Sequence, residues 1–219
     1  MSDHPALEVT DLEVTYERPV VSGFSLDIAR GESVALMGPS GSGKSSILAC
    51  VVGLQRPTSG RVIVDGQAMS DVRPGARARI RRKRIGVAYQ DAGLLPELSV
   101  AENVAVTLLF DGVARDRALT MAHESLEAVG LGGHADKRTD EISGGQAQRV
   151  SVARALVRPS AALLVADEPT ASLDEATARD IISLLEERVR ATGVGALVAT
   201  HDPAVAGACD RTLDLREHG

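Results

Sequence analysis

The hydrophobic pattern of the chain changes period along its length. Leu7 to Tyr16 and Phe24 to Ile28 alternate apolar and polar positions, as half-buried antiparallel strands do. Ser33-Val-Ala-Leu-Met37 is instead a continuous apolar run, which predicts a strand buried on both faces, and it ends in a glycine loop. Gly43 to Val52 reads as a helix. Arg61 to Val64 reads as a short strand closed by the Asp65-Gly66 turn, and Ile85 to Tyr89 as another strand. From Ser99 to Arg158 the period is helical, in pieces at Ser99 to Leu109, Arg115 to Val129 and Gly145 to Leu156; Gly130, Gly132 and Gly133 separate the second from the third. Strand character returns at Ala162 to Ala166 and Ala196 to Ala199, with an amphipathic helix from Asp174 to Arg190 between them. Ser172 and Glu175 have capping-box spacing at its entry, and Asp202-Pro203 predicts the cap and first residue of a further helix.

This order predicts an α/β fold in one domain spanning residues 1–219. An N-terminal antiparallel β part and a core come from residues 1–90 and 159–219, with a helical insertion at 91–158. Composition agrees: the chain is 44% hydrophobic but only 2% aromatic with no Trp, so its core is built from Ala, Val, Leu and Ile. A net charge of −6 argues against a chain-wide electrostatic pull on nucleic acid. Cys50 and Cys209 have neither disulfide-framework nor zinc spacing and read as reduced core thiols of a cytosolic protein. Met1 to Ala6 has no apolar stretch that would make a signal peptide, and no window reaches the ~18 consecutive apolar residues that span a bilayer. Any membrane-spanning part is therefore expected on another chain.

Gly38-Pro39-Ser40-Gly41-Ser42-Gly43-Lys44-Ser45, followed by Ser46, matches the phosphate-binding pattern G-x-x-x-x-G-K-[ST], between a predicted strand and a predicted helix. Glycines let backbone N–H groups curl around phosphates, and the helix N-terminus adds partial positive charge. Lys44 then neutralises the β and γ phosphates, and Ser45 offers a hydroxyl to Mg²⁺. By itself this loop indicates a P-loop nucleotide-binding core, common to kinases, GTPases, helicases and transporter subunits. The apolar run Leu163 to Ala166 ends in Asp167-Glu168. Charged groups at the end of a buried strand need a metal or donors to meet them. In P-loop enzymes an Asp here holds Mg²⁺, and an adjacent Glu can deprotonate the attacking water.

Ile142-Ser143-Gly144-Gly145-Gln146, then Gln148-Arg149-Val150 and Ala153-Arg154-Ala155-Leu156, resembles the signature sequence of ABC ATPases. In the same order and spacing, Tyr16 resembles the aromatic that stacks on adenine and Gln90 the Q-loop glutamine. Ser172-Leu173-Asp174 resembles the D-loop, and His201 the switch histidine. The resemblance implies ATP and Mg²⁺ as ligands and a head-to-tail dimer with a second copy of the chain. Ser143 and Gly145 of one subunit would then lie over the γ-phosphate held by the other. It further implies Glu168 as general base, His201 holding the γ-phosphate and water, and Gln90 sensing Mg²⁺ and relaying nucleotide state to a partner.

Gln90 to Pro96, Ser99 to Val104 and Ala166 to Thr170 look like the branch that includes lipoprotein-releasing, macrolide-export and cell-division ATPases. Ile142 stands where Leu is commoner, Ala171 where Gly is and Ser46 where Thr is; none of these removes a ligand. The chain ends soon after its last strand, unlike many sugar importers, and His134 to Glu141 lacks the Gly-rich acidic stretch of fused multidrug exporters. The implied function is the energising subunit of a separately encoded integral membrane permease of export or extrusion type. The chain would sit in the cytoplasm, peripheral on the inner face of the membrane. The alternative is a non-transport ABC ATPase acting mechanically on a membrane partner in cell-wall remodelling. Soluble repair or translation ATPases would carry coiled-coil insertions or tandem cassettes, and a P-loop kinase would lack the signature. The basic run Arg73 to Arg84 has two readings, a solvated helix face or a contact with lipid headgroups or a permease loop.

Overall fold

The structure is a computed structural model, and it describes residues 4–217. The N-terminal stretch read above as lacking a signal peptide falls outside them as far as Asp3.

Two sheets divide the strands. The first is antiparallel, in the order β2 (Pro19–Ile28), β1 (Leu7–Thr15), β4 (Ser59–Val64), β5 (Gln67–Ala68). The second is parallel, in the order β6 (Ile85–Ala88), β7 (Leu163–Asp167), β8 (Gly195–Thr200), β3 (Ser33–Met37), β9 (Arg211–Asp214). Between β6 and β7 the chain forms α3 (Val100–Leu109), α4 (Arg115–Ala128) and α5 (Gly144–Leu156). Of the other helices, α1 (Lys44–Val51) follows β3, α2 (Pro74–Arg84) precedes β6, α6 (Glu175–Thr192) follows β7 and α7 (Pro203–Ala208) follows β8.

The continuous apolar runs are explained by cover on both faces of the parallel sheet. Leu163 and Val165 of β7 point into one core cluster with Val34, Leu36, Ile47 and the β1 and β2 side chains. Leu164 and Ala166, on the opposite face, join Val152, Ile181 and Leu185 of α5 and α6. Alternation at period two persists, but both faces are dry, so every position is apolar.

Several boundaries differ from expectation. β2 begins at Pro19 rather than at Phe24, and β9 was not anticipated. The entry of α6 is a correction. Asp174, not Ser172, is its N-cap: the Asp174 carboxylate accepts from the Thr177 N–H at 3.0 Å and from the Thr177 hydroxyl at 2.6 Å. An ionised cap directly before the first helical residue satisfies orphan N–H groups that a serine two residues upstream does not reach. Arg73 to Arg84 does form a helix, α2, with no buried residue. Arg81 donates to the carbonyls of Val52 and Gly53, while Arg82 pairs with Asp111 and Arg84 with Asp65. Cys50 is buried and Cys209 half-buried, both unpaired; burial pushes each thiol up to about 11.

Candidate active site

Parallel strands in register bring their C-terminal ends to one edge. Met37 of β3 lies opposite Thr200 of β8, Asp167 of β7 opposite Ala199, and Ala88 of β6 opposite Ala166. The residues that follow each strand therefore meet although they are distant in sequence, at the end of an open α/β sheet where ligands bind. They form a cleft of about 620 Å³ lined by Val20, residues 39–46, Gln90, Asp167, Glu168 and His201.

The loop from Gly38 to Gly43 crosses the end of β3. Gly43 stands at φ 94° and directly precedes α1. A β-carbon there would meet Val21 Cγ2 at 2.9 Å and the Val20 carbonyl at 3.1 Å, so only glycine lets the loop close under β2. The first turn of α1 has no side-chain cap and no acidic residue, leaving its N–H groups for an anion. Lys44 is buried, with Nζ donating to the carbonyls of Gly38 and Pro39. The buried Ser42 hydroxyl has no hydrogen-bond partner. This donor set of backbone N–H groups, an ammonium and hydroxyls fits a polyphosphate.

Ser45 Oγ is 3.5 Å from Asp167 Oδ2. Burial, with the charge of neighbouring Glu168 second, raises the Asp167 pKa above the ordinary carboxylate value. A carboxylate held this way beside a hydroxyl fits a Mg²⁺ ligand pair, since a divalent cation removes the penalty. Glu168 has a left-handed backbone at φ 46°, and its N–H donates to the Ala199 carbonyl at 2.9 Å. Its carboxylate is mostly buried, while the His201 side chain is 71% exposed. His201 Nδ1 lies 2.9 Å from Glu168 Oε1, so with the proton on Nδ1 the ring donates to the carboxylate. Thr200, fully buried, accepts from the Asp202 N–H at 3.0 Å, and Asp202 caps α7. That turn sets His201 at the mouth of the cleft.

A family model described as "ABC transporter" matches residues 21–171. The chain belongs to the ABC transporter family. The lipoprotein-releasing system ATP-binding protein LolD of Maricaulis maris is 45% identical over 99% of this chain and 96% of its own length. The macrolide export ATP-binding/permease protein MacB of Syntrophobacter fumaroxidans is 39% identical over 96% of this chain, which covers 30% of that relative. A solved dimer of the ATP-binding cassette MJ0796 bound to ADP and Pi has a TM-score of 0.89 and 33% identity, covering 95% of this chain and 93% of that one. The mixed fold of an antiparallel and a parallel sheet is thus that of ABC cassettes.

The stretch that resembles the ABC signature lies outside the cleft. Ser143 caps α5: its hydroxyl accepts from the Gln146 N–H at 3.2 Å while Gln146 Oε1 accepts from the Ser143 N–H at 2.9 Å. Ser143 and Gly144 are exposed. At Gly145 a β-carbon would sit 2.8 Å from the Ser172 carbonyl, so the helix tip packs on the turn that leads to Asp174. Tyr16 is also outside the cleft lining; it is 59% exposed, and its hydroxyl donates to Gln55 at 2.6 Å.

Sequence reasoning assigned no role to the side chains that hold the Gln90 loop. Asn103, fully buried on α3, donates to the carbonyls of Leu95, Leu98 and Ser99 and accepts from the Leu95 N–H. Arg138 donates to Pro96 and Glu97, and Arg154 to Ala92 and Gly93. Gln148 and Ser151 of α5 hold Tyr89, the residue before Gln90, at its carbonyl and N–H respectively. A polar residue at an interior position of an apolar helix was the available signal for Asn103, whereas Gln148 stands among Gln146, Arg149 and Ser151 in a mixed helix that gives no such signal.

Proposed function

We propose that the chain hydrolyses MgATP as a head-to-tail homodimer and powers a separately encoded membrane permease, of export or extrusion type. The observation that carries the hydrolytic reading is the 2.9 Å contact between His201 and Glu168 at the mouth of a cleft floored by Lys44 and Ser45. Lys44 and the loop N–H groups hold the β and γ phosphates. Ser45 and Asp167 would hold Mg²⁺, with Gln90 at its side, and a cation bound there would supply positive charge against the negative charge developing on the phosphates. Glu168 takes the proton of the attacking water, and His201 orients that carboxylate and meets the γ-phosphate. Tyr16 would stack on adenine. Ser143, Gly144, Gly145 and Gln146, exposed or half-exposed at the tip of α5, would reach the nucleotide across the dimer, with Asp174 in the adjoining turn.

The permease reading is supported by relatives named as ATP-binding proteins of a lipoprotein-releasing system. Among the described residues no helix is long and apolar enough to cross a membrane. The chain would therefore sit peripherally on the inner face of the membrane through that partner. The test is Glu168→Gln. It is expected to bind ATP, to lose about a hundredfold or more in turnover, and to run as a dimer on MgATP in size exclusion. Hydrolysis at the wild-type rate would remove Glu168 from the mechanism.

A further inference from the structure

Gln148 is 2% exposed and lies one turn beyond the exposed tip of α5. Its Nε2 carries two hydrogens and meets two backbone acceptors, the Tyr89 carbonyl at 3.3 Å and the Glu168 carbonyl at 3.5 Å. Both are consequential positions. Tyr89 precedes Gln90, and its N–H is held by Ser151 of the same helix at 3.2 Å. Glu168 stands in a left-handed backbone that side-chain-bearing residues adopt at a cost, so its surroundings must impose it. Its N–H is tied to β8 through the Ala199 carbonyl, and its carbonyl receives the Gln148 amide.

We propose, on the reading of Glu168 as the general base, that Gln148 is a positioning residue for hydrolysis. It fixes the backbone of Glu168, and with it the direction of the carboxylate, to the signature helix of the same chain. A pivot of the Glu168 peptide would swing the carboxylate away from its 2.9 Å contact with His201. A small angular error in a proton-accepting group costs rate rather than substrate affinity. Because Ser143 and Gly145 open the same helix, Gln148 also links the tip that faces a second copy to the base of its own site.

The test is Gln148→Met, which keeps an unbranched side chain of similar length and removes both donors. Expected are a kcat lower by about tenfold or more, with ATP affinity and KM within about twofold of wild type. In a Glu168→Gln background, Gln148→Met is expected to change single-turnover hydrolysis no further, since a residue acting through Glu168 then has nothing to position. Gln148→Glu, isosteric but unable to donate when ionised, is measured alongside as a second variant and is expected to be at least as slow. Wild-type kcat in either variant overturns the proposal. So does an additional loss of the same size in the Glu168→Gln background, or a matching loss of ATP affinity, each of which marks a packing role. Glu168→Gln turning over at the wild-type rate would bring down the base assignment and this proposal together. An inactive Glu168→Gln beside a fully active Gln148→Met would overturn this proposal alone.

Discussion

Gly86 of β6 lies so close to Ala155 of α5 that a β-carbon on it would sit 2.2 Å from the Ala155 carbonyl oxygen and 2.8 Å from Leu164 Cδ2. Helix α5 therefore rests directly on the strand that leads to Tyr89 and Gln90. Only at that distance can Gln148 and Ser151 reach the Tyr89 backbone.

Gly86→Ala is accordingly expected to destabilise the protein by about 1–3 kcal/mol through overpacking against backbone that cannot turn aside. Thermal unfolding reads this as a Tm lower by roughly 2–4 °C per kcal/mol for a chain of this size. An unchanged Tm would mean that α5 lifts from the sheet at no cost.

His201→Ala is expected to lower kcat by about a hundredfold while leaving the Tm unchanged, because the imidazole is 71% exposed. Nucleotide affinity, measured by titration with ATP, should fall by no more than a few-fold, since Lys44 and the loop carry most phosphate contacts in the proposed site. A variant that hydrolyses normally would show that the His201 contact to Glu168 is incidental.

Asp210 joins β9 to β3: its carboxylate accepts from both the N–H and the hydroxyl of Ser33 at 2.8 Å, and its own N–H donates back to that hydroxyl at 3.0 Å. The Ser33 N–H, then the Ser33 hydroxyl, hold the Asp210 pKa below the ordinary carboxylate value. A depressed folded-state pKa contributes stability above the unfolded value of about 3.9, which is lost as pH falls through the folded value. Asp210→Asn is therefore expected to melt below the wild type at neutral pH, with the gap narrowing as pH drops below about 4. A gap that stays constant from pH 7 to pH 3 would mean that the charge contributes nothing.

Much of the fold was legible because the decisive patterns are local. The apolar runs at Ser33 to Met37 and Leu163 to Ala166 announce strands covered on both faces, and the core clusters bear this out. β9 was missed because Arg211-Thr-Leu-Asp214 is short, half-exposed and charged at both ends; it is a strand only because β3 offers it an edge. The cap of α6 was misread because Ser172 and Asp174 are both good cap residues, and spacing alone does not tell which one stands next to the first helical turn.

The sequence by itself determined the chemistry that is contiguous in the chain. The phosphate-binding pattern runs from Gly38 to Ser45, and Asp167 and Glu168 are adjacent. Such groups act through backbone geometry that neighbouring residues dictate. Only the tertiary structure decided which of these pieces meet. His201 reaches Glu168 because β7 and β8 are adjacent, parallel and in register, and Gln148 bridges Tyr89 and Glu168 because α5 lies on β6 across a glycine. Those contacts depend on strand order and helix placement, and pairings far apart in the chain leave no periodic trace in it.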